Sequence, residues 1–158
     1  MDWKEKKVVV IRLDGQDYGV DVFHVLSIEK LPAITRVPRT PRFVKGVINL
    51  RGEVLPIIDL RERFGMSEIP YGDDHRIVVV QVDEMQVGLV VDEARDVLDL
   101  TAEMIENTPD VVGGIAADYL DGMAKWENGV LILLNLTQVL NRRELEELYR
   151  AQLEGDAP

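Results

Sequence analysis

Nucleophilic and imidazole chemistry has little to work with in this chain, which has no cysteine, two serines (Ser27 and Ser67) and two histidines (His24 and His75). Neither serine lies in a Gly-x-Ser-x-Gly elbow, and no Cys or His partner stands at metal-site spacing. Asp73-Asp74-His75 is the one acid-base cluster, since a carboxylate can orient an imidazole. Neighbours on an extended segment point to opposite faces, so the cluster reads as a solvated loop end. An enzyme working there remains one function class, and mutation of His75 tests it. Val112-Gly113-Gly114-Ile115 lacks the further glycine, lysine and hydroxyl of a phosphate loop. Asp118-Tyr119-Leu120-Asp121-Gly122 lacks the alternating oxygen ligands of a calcium loop. No cofactor is implied.

What remains is recognition chemistry, and one arginine is placed for it. Gly46 to Leu60 reads GVINLRGEVLPIIDL, two Val/Ile/Leu-rich runs separated by Arg51-Gly52-Glu53, which predicts a hairpin. The turn Asn49-Leu50-Arg51-Gly52 sets a planar, permanently charged fork at the end of a rigid element. The bland alternative is a solvated turn residue paired with Glu53 or Asp59.

The elements that must hold this turn follow from patterning. Val8 to Leu13 is an apolar strand, Asp14-Gly15-Gln16-Asp17 a hairpin turn, and Tyr18 to Val22 the return strand. Phe23 to Lys30 fits either a helical turn or a strand. Pro32, Pro38 and Pro41 exclude long regular structure, although Pro41 to Lys45 could begin a short helix. Pro56 puts its strand at an edge or beside a bulge. Arg61 to Phe64 reads as a helical turn stopped by Gly65, before a loop through Met66 to Asp74.

The chain then repeats itself. Val9-Val10-Ile11-Arg12-Leu13-Asp14 overlies Val78-Val79-Val80-Gln81-Val82-Asp83 at an offset of 69, and Tyr18-Gly19-Val20 falls on Val87-Gly88-Leu89 without a gap. At an offset of 76, Val54-Leu55-Pro56-Ile57-Ile58-Asp59-Leu60 falls on Val130-Leu131-Ile132-Leu133-Leu134-Asn135-Leu136. A unit of about seventy residues is long enough for a small barrel. The expectation is one domain over 1–158 built of two β-rich halves, 8–65 and 76–140, with strand exchange between them left open. Asn141-Arg142-Arg143-Glu144 carries a capping pattern, and Leu145, Leu148, Tyr149 and Leu153 share a face, predicting a C-terminal helix over 141–153. Glu127 stands where Arg51 stands in the first copy. An arginine present in only one of two equivalent turns is not required by the turn.

Size and charge bound the rest. A chain of 158 residues can bury roughly 68–70% of its unfolded surface. The net charge of −11 repels phosphate backbones and anionic lipid, and aromatics at 6% are too sparse for base stacking, so nucleic acid and direct membrane insertion are not expected. MDWKEKKVVV has no small-residue cleavage site after an apolar core, and with no cysteine the expectation is a cytoplasmic protein.

GVINLRGEVLPIIDLRERFG resembles the signature segment of CheW-type chemotaxis coupling proteins. The likeness extends through Tyr18-Gly19-Val20-Asp21, Val87-Gly88-Leu89-Val90-Val91-Asp92, Val97-Leu98-Asp99-Leu100-Thr101 and Tyr119-Leu120-Asp121-Gly122, nearly the whole chain. It implies a mainly β fold of two SH3-like five-stranded barrels with a C-terminal helix. It also implies a non-catalytic adaptor joining the cytoplasmic helical tips of methyl-accepting chemoreceptors to the regulatory domain of the histidine kinase CheA, in arrays recruited to the membrane. Under the resemblance Val25, Arg51, Gly88 and Val97 are receptor- or kinase-coupling positions, with Val25, Gly88 and Val97 lining an apolar groove at the seam between the barrels. Their plainer reading is core packing for the valines and close backbone approach for Gly88. Relatives often carry a carboxylate two residues after the valine, where this chain has Ser27. The alternative function is a CheW-like scaffold in a non-chemotactic receptor-kinase pathway.

Overall fold

The computed structural model describes residues 6–106, 119–141 and 143. Among these the strands are β1 (Lys6–Leu13), β2 (Gln16–Asp21), β3 (Val25–Lys30), β4 (Val44–Leu50), β5 (Glu53–Asp59), β6 (Arg76–Val82), β7 (Met85–Val91), β8 (Glu93–Leu100), β9 (Ile105–Glu106), β10 (Leu120–Trp126) and β11 (Gly129–Leu134). Two one-turn helices, α1 (Leu60–Arg63) and α2 (Leu136–Val139), follow β5 and β11. The fold is mainly β, as expected. The expected C-terminal helix over 141–153 lies, apart from Asn141 and Arg143, outside the described residues, as does the Val112-Gly113-Gly114-Ile115 segment.

The strands form a six-stranded sheet, β8-β1-β2-β11-β10-β9, and a five-stranded sheet, β3-β6-β7-β5-β4. Each sequence half contributes its opening hairpin to the other half's sheet. A parallel pairing joins the borrowed hairpin in both: Ile57 opposite Gly88 between β5 and β7, and Leu133 opposite Gly19 between β11 and β2. These are the same pairing under the two repeat offsets, so the exchange is part of the repeat itself.

Burial explains why β1 and β6 are almost continuously apolar. Val8 and Val10 point into a small core within the six-stranded sheet, beside Leu131 and Leu133. The alternate residues Val9, Ile11 and Leu13 point the other way, into a cluster shared with Val78, Val80 and Val82 of β6. Ile77 and Val79 complete the pattern by filling the core of the five-stranded sheet. A strand buried on both faces cannot alternate apolar and polar residues. The largest cluster is the one between the sheets, so the seam predicted as a groove is packed core.

Three local readings left open by the sequence are resolved. Phe23 to Lys30 takes both forms, a 3₁₀ turn at Val22–His24 capped by the Asp21 carboxylate and then strand β3. Pro41 to Lys45 starts no helix, because Val44 already enters β4. Pro56 lies on an internal strand, β5, between β7 and β4, and beside it the β4–β5 register shifts between Val44 and Gly46, opposite Ile58 and Ile57, so of the two expected settings it is the bulge that is found. Its missing donor costs nothing there: Val47 opposite it bonds both ways to Thr35 instead, so the Pro56 nitrogen faces away from β4. Pairing with β7 begins only at Ile57.

The two helical turns share one cap design. The Asp59 carboxylate accepts from the Glu62 amide and the Asn135 side chain from the Gln138 amide, both at 3.2 Å. Asp59 also accepts from the Tyr71 hydroxyl at 2.5 Å, and burial followed by that bond raises the Tyr71 pKa.

Candidate contact site at the Arg51 turn

Arg51 and Gly52 form a two-residue loop between Leu50 and Glu53, which face one another in the β4–β5 ladder. Both loop residues are left-handed, Arg51 at φ 50° and Gly52 at φ 88°. This geometry matches the twist of the flanking strands but suits glycine and asparagine better than arginine. The Asn49 side chain closes the loop by accepting from the Gly52 amide at 3.0 Å.

The arginine points across the sheet rather than along it. Its Nη2 donates to the Glu29 carboxylate on β3 at 3.1 Å, with the Arg51 side chain still 69% exposed. Hydrogen bonds from Arg51 first and Ser27 second hold the Glu29 carboxyl below its ordinary pKa. Neither Glu53 nor Asp59 is its partner. Sequence reading missed Glu29, because nothing local to a single glutamate on a strand signals a partner 22 residues away. Glu29 stands four residues after Val25, on the same edge strand.

The four positions named from resemblance do not converge. Val25 opens β3, opposite Val80, and is half-buried at the margin of the inter-sheet cluster. It shares its strand with Glu29 and is thereby joined to Arg51. Val97 lies on the other sheet's edge strand, β8, opposite Val9, and is 61% exposed. Gly88 is buried and faces the core of the five-stranded sheet, where an added Cβ would sit 2.6 Å from Ile57 Cδ1 and 2.8 Å from Ile77 Cγ2. It therefore lines no groove, and its position is one of close packing. The exposed apolar side chains lie on the outer surface: Phe23, Leu26 and Ile28 around β3, Val54 beside the Arg51 turn, and Val97 and Val130 on the other sheet.

His75 is not a solvated loop end, being only 7% exposed, although Asp73 and Asp74 are exposed. Its Nδ1 accepts from the Gly72 amide at 2.9 Å, which leaves the proton on Nε2, 3.8 Å from Asp92 Oδ1. That Asp92 is held by Arg61 Nη1 at 2.7 Å and accepts from the Asp14 amide at 2.8 Å. Arg61 also lies 3.6 Å from the Asp14 carboxylate and donates to the Ser67 carbonyl. The cluster ties α1 of one sheet to the β1–β2 turn of the other. Arg61 and the Asp14 amide both engage Asp92 Oδ2, while Oδ1 and His75 Nε2 are buried without a hydrogen bond among the described residues; joining the two sheets in this way, the arrangement acts as a latch.

The CheW-like domain family model matches residues 7–144 of this chain. The chain is 36% identical over 140 residues to "Chemotaxis protein CheW" of Klebsiella aerogenes, covering 89% of this chain and 84% of that protein. It is also 36% identical over 137 residues to "Chemotaxis protein CheW" of Bacillus subtilis, covering 87% and 88% respectively. Among solved structures, the scaffolding protein TtCheW from Thermoanaerobacter tengcongensis superposes with a TM-score of 0.77 at 37% identity, over 83% of this chain and 89% of that one. With a family model spanning the described repeat and relatives matched along most of their length, this chain belongs to the CheW-like domain family.

Proposed function

We propose that this chain is a non-catalytic adaptor, coupling the cytoplasmic helical tips of methyl-accepting chemoreceptors to the regulatory domain of CheA within membrane-associated arrays. The observation that carries the reading is family membership along nearly the whole chain, joined to a surface suited to recognition. Arg51 occupies a turn whose backbone does not favour it, and its twin in the repeat is Glu127. Among the described residues no helix is long and apolar enough to cross a membrane.

The contact surface is the Arg51 turn with the adjoining edge strand β3. Its exposed Leu26 and Ile28 offer apolar area to a helix, and the Arg51–Glu29 pair presents a cation fixed in direction. Coupling requires only that these contacts differ between two receptor states, by about 1–3 kcal/mol of free energy. Co-sedimentation with receptor signalling fragments and the kinase tests this reading. Wild type should bring both partners into one pellet, and Arg51→Ala should lose one of them with an unchanged circular dichroism spectrum. Failure of the wild-type chain to bind either partner overturns it, and co-purification with a different receptor-kinase pair assigns the adaptor to another pathway.

A further inference from the structure

The loop between β3 and β4 gathers positive charge in a chain where 29 acidic residues outnumber 18 basic ones. Arg36, Arg39, Arg42 and Lys45 line one cavity of about 480 Å³ in which Glu68 is the one acid. Two neighbouring cavities, of about 670 and 380 Å³, share Glu68 with it and extend it past Ile34 and Ile69. The result is a polar groove with a cationic rim and apolar patches at Val37, Val44, Ile34 and Ile69.

Two of the cations are already engaged. Arg42 bonds Glu62 at 3.1 Å and Glu68 at 3.4 Å, and Lys45 pairs with the same two carboxylates. Arg36 and Arg39 are exposed and make no ion pair with any described residue. Arg39 also sits in left-handed backbone at φ 61°, where glycine or asparagine would be at ease. The loop that carries it is held in shape: Thr40 Oγ1 donates to the Val37 carbonyl, the Val44 amide to the Pro41 carbonyl, and Thr35 pairs with Val47. The backbone thus carries an arginine at a position that disfavours it, beside a second arginine that makes no ion pair with any described residue.

We propose that this groove binds an extended, carboxylate-rich segment of a partner protein that also carries apolar side chains. Guanidinium forks match carboxylates two-pronged, and the two unengaged arginines, Arg36 and Arg39, suit successive carboxylates along one segment. The apolar patches supply contact that a bare inorganic anion does not use. A bilayer is a poor occupant, because the cations lie in a concavity beside Glu62 and Glu68 on a molecule of net charge −11. The groove lies at the start of β4 and Arg51 at its end, roughly 20 Å apart for six residues of strand. It is a second contact surface, and it stands whether or not the receptor-kinase reading holds.

The test is fluorescence anisotropy of a labelled peptide of glutamates interspersed with leucines, titrated with the full chain at rising salt. Inorganic phosphate and phosphatidylserine-containing vesicles serve as competitors. Wild type should bind with an affinity that falls as salt rises. The double reversal Arg36→Glu with Arg39→Glu should weaken binding at least about tenfold. Arg39→Gly should weaken it several-fold while keeping or raising the melting temperature, which separates recognition from folding. No binding by wild type, or equal binding by the double variant, overturns the proposal. So does displacement by phosphate or vesicles at matched charge, or wild-type self-association that the reversal abolishes.

Discussion

The two central hairpins end in turns that the repeat makes equivalent, and their first loop residues agree: Arg51 has φ 50° and Glu127 φ 52°, whereas at the second loop residue only the first copy, with Gly52 at φ 88°, is left-handed. Each begins a two-residue loop, closed by Leu50 opposite Glu53 in one copy and Trp126 opposite Gly129 in the other. The side chains are opposite in charge. In the second copy it is the neighbouring Trp126 that ties the hairpin in, its Nε1 donating to the buried Asp17 at 3.2 Å. In the first copy Arg51 itself reaches Glu29 on the edge strand. The fold thus accepts either charge at this turn, and what distinguishes the copies is the surface each presents.

The same comparison predicts where the copies differ in stability. The largest effect falls on the latch, because Arg61 is paired and nearly buried while its repeat counterpart Thr137 is exposed. Arg61→Ala should cost about 1.5–3 kcal/mol by removing the charged hydrogen-bond donor from the half-buried Asp92, and Thr137→Ala should stay within about 0.5 kcal/mol. Chemical denaturation measures both, and equal costs would break the asymmetry.

The next pair is Gly88 and Gly19. A Cβ at Gly88 meets Ile57 and Ile77 at 2.6 and 2.8 Å, against 3.0 Å to Leu133 and 3.3 Å to Leu131 at Gly19. Gly88→Ala should cost about 1–3 kcal/mol by overpacking. Gly19→Ala should be nearer neutral, since slight side-chain shifts relieve it and alanine narrows the unfolded ensemble. Thermal melts of the two variants decide whether Gly88 acts through packing.

Arg51→Asn and Glu127→Asn should each alter stability by less than about 1 kcal/mol, towards the more stable side, since asparagine tolerates the left-handed turn. The smallest effect is the titration of Glu29. Its pKa is lowered in the folded state, so the Arg51 attachment is complete above the ordinary glutamate value and is lost as the pH falls through the lower folded value. Carboxyl NMR should show Glu29 titrating below the usual glutamate range in wild type and returning towards it in Arg51→Ala.

Much of this architecture was legible because repetition and periodicity are local signals. The hairpin turns at Asp14-Gly15 and Arg51-Gly52, the duplicated strands and the contrast of Arg51 with Glu127 all lie in short stretches of sequence. Pro56 was legible as to the bulge beside it but not as to its place on an internal strand, which depends on Val47 bonding to Thr35, a pairing between residues 12 apart across a loop of prolines. His75 misled for a similar reason: its neighbours Asp73 and Asp74 are exposed, whereas the carboxylate that faces it is Asp92. The seam read as a groove is core, since strands buried on both faces carry no periodic signal for which neighbour covers them. Resemblance located Gly88 without its geometry, and only the parallel pairing to Ile57 explains why a side chain does not fit there.

A contact role for the Arg51 turn, and not for its twin, would show in the signalling output. The most direct measurement is receptor-dependent kinase activity reconstituted with wild type, Arg51→Ala and Glu127→Ala, each checked for an unchanged melting temperature. Arg51→Ala should lower activation by roughly tenfold, equivalent to about 1.4 kcal/mol of coupling, and Glu127→Ala should match wild type. Equal activation by both variants, or an equal loss in both, would contradict that role.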